Sequence, residues 1–259
     1  GSFQTTYQGG SNDAFILKLN NQGSSLLFST YLGGSLEDYP FQVTLDASQN
    51  IYVTGQTNSA FPTTTGAYQT INGGGAYDIF VSKLNTSGTT LLNSTMIGLS
   101  AADRGLAIAL DASNNVYITG LAQGNYPTTP GAFDNTFNGG TYDIVVSKFD
   151  PTLSTLIYST FLGTPGEDMG RSALFIDNSD NAIIFGKAGS GFTTTAGAYQ
   201  QVYGGGATDG IIVKLNATGN SLVYSTYLGG NGDDYIINAD LNVGTDMVIT
   251  GYAGNNFPI

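Results

Sequence analysis

One short phrase recurs along the chain at a fixed interval, and that interval constrains the fold more than any other feature. It reads Asp13-Ala-Phe-Ile-Leu-Lys18, then Asp78-Ile-Phe-Val-Ser-Lys83, Asp143-Ile-Val-Val-Ser-Lys148 and Asp209-Gly-Ile-Ile-Val-Lys214. The aspartates stand 65, 65 and 66 residues apart. A fixed period marks one supersecondary unit stacked on copies of itself. A residue found at one point of every copy is then expected to serve the unit's architecture before any chemistry.

Four strands fit inside one period. Phe41–Leu45 alternates, 46–50 is a turn, and Ile51–Thr54 is a second strand that Gly55 is expected to stop. A loop rich in Thr, Gly and Pro runs from Gln56 to Tyr77. Asp78–Leu84 is a third strand, 85–88 a turn, and Thr90–Ile97 a fourth. Period-two alternation and Gly/Asn turns support each assignment. The next copies place strands at Leu106–Leu110, Val116–Thr119, Asp143–Phe149 and Thr155–Leu162, then at Ala173–Ile176, Ala182–Phe185, Asp209–Leu215 and Ser221–Leu228. Named a to d outward from an axis, four such strands make one blade of an all-β propeller. Charged residues are only 10% of the chain, too few to clothe helices, whereas 41% hydrophobic content suffices for a core.

The units fall at 1–65, 66–130, 131–196 and 197–259 of a single propeller domain. The chain opens on strands c and d, within 11–34, and finishes on strands a and b, within 235–252. Together these two half-blades would make one blade and close a four-bladed ring, removing exposed edges. A slice of a larger propeller is the competing geometry. Gly1-Ser2 does not resemble a native start, so a trimmed or excised segment is expected.

The phrases Asp13–Leu19, Leu26–Gly34, Asp46–Gly55 and Phe61–Gln69 resemble the bacterial and archaeal β-propeller repeat family often labelled SBBP. Nearly the whole chain follows that pattern. Local departures are Asn93, Asn242, Ile184 and Val248. The resemblance implies a scaffolding or adhesive module of a secreted or cell-surface protein. It brings no catalytic residues, and the family label implies seven blades, which keeps the slice open beside the closed ring.

Composition narrows the chemistry. The formal net charge of −12 opposes nucleic acid and anionic membrane as partners. No run of the sequence reaches the length of a membrane span. The chain has neither Cys nor His. Thiolate metal sites and Ser-His-Asp or Cys-His catalysis are therefore excluded.

The remaining candidates lie in loops and turns. The b–c loops carry Phe61, Tyr68, Tyr126, Phe133, Phe192 and Tyr199, either as a sugar-stacking face or as anchors of the loops. The d–a loops carry Asp38, Asp103, Asp168 and Asp234, either a carboxylate ring for a hard cation such as calcium or caps for glycine turns. Asp46, Asp111 and Asp177 are each expected to pair with Lys83, Lys148 and Lys214. Glu37-Asp38 and Glu167-Asp168 raise a glycoside hydrolase or lyase, which needs two carboxyls about 5–10 Å apart. Adjacent turn residues point apart, which disfavours it.

The expectation is a non-enzymatic extracellular scaffold or adhesion module without a required cofactor. It would contact other protein subunits or surface glycans, or form a homo-oligomer. A carbohydrate- or calcium-binding lectin-like propeller is the alternative.

Overall fold

The computed structural model describes residues 1–58, 60–241 and 246–258. All of its regular structure is β, in sixteen strands. An N-terminal hairpin comprises β1 (Ala14–Leu19) and β2 (Leu26–Leu32). The first complete blade follows with β3 (Asp38–Leu45), β4 (Ile51–Thr57), β5 (Asp78–Leu84) and β6 (Leu91–Ile97). The second holds β7 (Asp103–Leu110), β8 (Val116–Ala122), β9 (Asp143–Phe149) and β10 (Leu156–Leu162). The third holds β11 (Met169–Ile176), β12 (Ala182–Ala188), β13 (Asp209–Leu215) and β14 (Leu222–Leu228). A C-terminal hairpin of β15 (Tyr235–Leu241) and β16 (Met247–Tyr252) ends the chain. Each blade is a four-stranded antiparallel meander in sequence order.

Strands a and b are longer than the sequence pattern indicates, for one repeated reason, whereas strands c keep the expected bounds and strands d begin one residue later. Strand b passes through Gly55 instead of stopping there. Strand a reaches back to Asp38 through Pro40, and the a–b register shifts between Pro40 and Gln42. A Cβ on Gly55 would strike the Tyr39 carbonyl and the Pro40 Cα. Here glycine permits a close backbone approach at a bulge. Proline is tolerated because β3 is an edge strand of its sheet.

The inner strands carry the assembly. β3 packs on β7, β7 on β11 and β11 on β15; β7, β11 and β15 also cover strands b and c of the blade before them, and β3 lies against β1. The Gln42 side chain ties three blades together. Its Oε1 accepts the Ile108 N–H at 2.6 Å, and its Nε2 donates to the Ser172 carbonyl at 3.0 Å. Side chains between blades form the core, as where Tyr117, Ile144, Leu162 and Leu174 meet.

The two hairpins remain separate two-stranded sheets. Each keeps an unpaired edge, on β1 and on β16. The strand pairing therefore does not show the expected closed ring. Exposure differs accordingly: Val43 on β3 is 58% exposed, whereas its counterpart Ile108 on β7 is 3% exposed.

Candidate functional site

The four carboxylates expected on the d–a loops stand where the first strand of each unit begins. Asp38 and Asp103 begin strands β3 and β7, and Asp168 and Asp234 immediately precede β11 and β15. All four are buried. Burial follows from their partners, which are backbone amides of two loops. Gly34 N–H donates to Asp38 at 2.7 Å, and Thr164 and Gly189 donate to Asp168. Gly230 and Gly254 donate to Asp234 at 2.7 and 2.8 Å. Turn capping accounts for these contacts.

Sequence reasoning did not foresee their neighbours. The repeated Asp13, Asp78, Asp143 and Asp209 stand beside them across each blade junction. Each uses Oδ2 to accept an amide five residues upstream, from Gln8, Gly73, Asn138 and Gly204. The Oδ1 atoms of all four are buried without a hydrogen-bond partner. Burial drives Asp78 up to about 6. Asp103 rises to about 9 through burial and the charge of Asp78, and Asp168 to about 7 chiefly through burial, with Asp143 adding to it. Desolvation and like charge both penalise the ionised form. Among the described residues no three metal-ligating side chains gather.

The loop aromatics divide into two sets. Phe61, Tyr126 and Phe192 are buried. Phe61 stacks on Phe80 with centroids 4.3 Å apart, Tyr126 bonds Ser147 through its hydroxyl at 3.1 Å, and Phe192 packs edge-on against Tyr227. These anchor loops and present no face to solvent. Tyr68, Phe133 and Tyr199 lie further out, and Tyr199 is 73% exposed.

The long b–c loops do not stand clear as a free face. Each descends along strand d of its own blade. Thr64 N–H donates to the Ser94 carbonyl and Met96 N–H to the Gln69 carbonyl; Thr129–Ser159 and Phe161–Asp134 repeat this, as do Thr195–Ser225 and Tyr227–Gln200. The outer edges are thereby paired, which removes them as open lateral surfaces. The first two loops, and the N-terminal segment that matches them at Phe3, then reach the c–d turn of the next blade. Phe3 N–H donates to Gly88 O at 2.9 Å, Tyr68 to Leu153 at 3.0 Å and Phe133 to Gly219 at 2.8 Å. Tyr199 occupies the same position in the third loop, and no such bond holds it among the described residues.

The expected ion pairs form. Lys83–Asp46 lies at 3.8 Å, Lys148–Asp111 at 3.2 Å and Lys214–Asp177 at 2.5 Å. In the first two blades the ammonium also sits over Tyr52 and Tyr117, 5.0 and 4.6 Å from the ring centres. In the third blade Ile183, and not Ile184, stands opposite the lysine in place of that ring. Asp177 is partly desolvated, yet bonds from Lys214 and Asn181 pull it down to about 2. Lys18 is exposed and has no ion pair among the described residues; Asn242 lies outside them.

The adjacent carboxyls serve separate contacts. Glu37 accepts the Tyr77 hydroxyl at 2.6 Å and Glu167 faces Lys187 at 3.9 Å, while Asp38 and Asp168 turn inward. Two open apolar hollows mark the ends of the array. One, of about 300 Å³, is lined by Phe15, Leu17, Phe41 and Val43 beside β1 and β3. The other, of about 420 Å³, is lined by Tyr199, Tyr224, Met247 and Ile249 beside β14 and β16.

No helix is long and apolar enough to cross a membrane among the described residues. No curated protein matches the chain. One family model does, over residues 27–62, running from β2 through β4 into the b–c loop. Strand order, blade architecture and that match agree: the chain carries the SBBP beta-propeller repeat.

Proposed function

We propose that this chain is a non-catalytic scaffold or adhesion module of a secreted or cell-surface protein, built as a four-bladed ring that its own two half-blades complete. One observation carries the reading: the two ends lack complementary things. In complete blades strand b pairs with strand c, as Tyr52 with Lys83 and Gly55 with Phe80. The unpaired edge of β16 is a strand b and that of β1 is a strand c. By the same register Val248 faces Lys18 and Gly251 faces Phe15.

The latches point the same way. Two b–c loops, and the matching N-terminal segment at Phe3, bind the c–d turn of the following blade. The third loop, at Tyr199, lacks only a turn, and the c–d turn at Gly23 lacks only a loop. The hollow beside Tyr199 and Tyr224 fits the β1–β2 hairpin, and the hollow beside Phe41 and Val43 fits the β15–β16 hairpin. Gln42 bridges the first and third inner strands with one side chain, a closeness that suits few blades around the axis.

The scaffold role rests on where the repeated residues go. The Lys–Asp pairs fasten a–b turns and the buried aromatics fasten loops. Light scattering, followed by a class-averaged image down the axis, tests the ring: a monomer mass with four blades is expected, and an open arc overturns closure. A glycan array with and without EDTA tests the role. No selective binding is expected, and binding abolished by Tyr199→Ala would replace scaffold with lectin.

A further inference from the structure

We infer that the outer face of the N-terminal hairpin is a docking seat for an extended aromatic–proline segment, and that this chain's own Asn256-Phe257-Pro258 fills it. The inference rests on the ring reading, and it names the loop segment that closure takes in beyond the strand pairing.

The complete blades show such a seat filled. In the first, Phe61 stacks on Phe80, and the Pro62 carbonyl accepts the Ser94 hydroxyl at 2.6 Å. Thr64 then exchanges two bonds with the Ser94 backbone. In the third, the Thr193 carbonyl accepts the Ser225 hydroxyl at 2.7 Å and Thr195 bonds the Ser225 backbone, while Phe192 packs against Tyr227. The recognised chemistry is thus an aromatic ring followed by a carbonyl that takes a serine hydroxyl of strand d. Proline suits the second place, because the contact uses its carbonyl and not an N–H.

The N-terminal hairpin carries the same seat, half filled. Gln4 lies on β2 as Gln69 lies on β6. The Gln4 amide donates to the Thr30 hydroxyl at 2.9 Å, and its carbonyl accepts the Tyr31 amide at 3.1 Å. The other half is an open hollow of about 420 Å³, lined by Ser2, Phe15, Ser29 and Tyr31 among others. Phe15 faces Tyr31 across the ladder as Phe80 faces Met96. Phe15 and Ser29 are exposed, whereas Phe80 and Ser94 are fully buried. The C-terminal strand leads to the occupant. Phe257-Pro258 repeats Phe61-Pro62, and Phe257 follows Gly251 by six residues, as Phe61 follows Gly55. With Gly251 opposite Phe15, the Phe257 ring falls over the Phe15 ring. The competing resting place is a hollow of about 170 Å³ on its own hairpin, where Phe257 lies with Tyr235 and Tyr252.

A double-mutant cycle on the full chain reads the contact. Phe15→Ala and Phe257→Ala should each lower the melting temperature by roughly 2–4 °C, and the double variant by no more than the larger single loss. Losses that add, or no loss from either, overturn the proposal. The coupling should be the same at every protein concentration; one that grows with concentration puts a second copy's segment in the seat and overturns it as well. The chain has no tryptophan, so Phe257→Trp gives a single reporter. It should be shielded from acrylamide, and Phe15→Ala should abolish that shielding; shielding that survives leaves the ring on its own hairpin and overturns the docking. A disulfide in Lys18→Cys/Val248→Cys reads strand closure separately. If it forms while Phe15 and Phe257 stay uncoupled, the docking fails and the ring stands; if it does not form, both fail.

Discussion

The repeated lysines show how much depends on burial at a single side chain. Lys148 and Asp111 are almost fully shielded, with 8% and 0% of their side chains exposed, whereas Lys214 and Asp177 keep 22% and 21%. An ion pair in water contributes little, but stripping one partner from a buried pair leaves an uncompensated charge. Lys148→Ala should therefore cost about 3 kcal/mol in urea unfolding. Lys214→Ala should cost clearly less, despite its shorter contact. The junction aspartates make a second prediction, about pH. Asp78, Asp103, Asp143 and Asp168 all titrate above an ordinary aspartate, at about 6, 9, 6 and 7. The folded state thus holds more protons than the unfolded state between about pH 4 and 9, and stability must fall as pH rises through that range. Asp46, Asp111 and Asp177 are shifted down, so their contribution is lost as pH falls through their folded values. In EDTA, the melting temperature should peak near pH 4–5 and decline steadily to pH 9. A maximum at neutral pH would contradict the placement of these pairs.

At the scale of the element, the b–c loop governs the outer edge of every blade. Its path was not legible in the sequence. The recurrent aromatics and the Gly-Ala-Tyr-Gln phrase were visible, but periodicity carries no signal for a loop that pairs irregularly with a strand some thirty residues away. The strands themselves were readable, because alternation and turn chemistry agree along each of them. Their ends were not, since Pro40 and Gly55 look like breakers until the bulge that needs them is seen. The Lys–Asp pairs were found from spacing alone; the Asp–Asp junctions were not, because the two members belong to different blades. The loop's role is open to hydrogen exchange. Ser94 N–H donates to Thr64 Oγ1 at 3.0 Å and Met96 N–H to the Gln69 carbonyl. Both amides should exchange slowly although β6 is the outermost strand. Thr64→Ala should speed exchange at Ser94 by about tenfold, the equivalent of roughly 1.4 kcal/mol of lost local protection.

For the whole molecule, the issue is how two hairpins at opposite ends of the sequence relate. Every complete blade hides apolar side chains that the ends leave in the open: Phe15 is 63% exposed while its counterpart Phe80 is fully buried. Burying such a side chain contributes about 1.5–3 kcal/mol. Joining β1 to β16 would cover several at once while pairing two free strand edges. The absence of native cysteine allows a clean test, since any disulfide in a double variant must join the two introduced residues. In Lys18→Cys/Val248→Cys the new thiols stand where Lys83 and Tyr52 face each other in the first blade. Mild oxidation of dilute protein should give an intrachain disulfide at monomer mass, whereas Lys18→Cys/Thr250→Cys, two residues out of register, should react far more slowly. Disulfides that form only between chains, or none in either variant, would contradict ring closure.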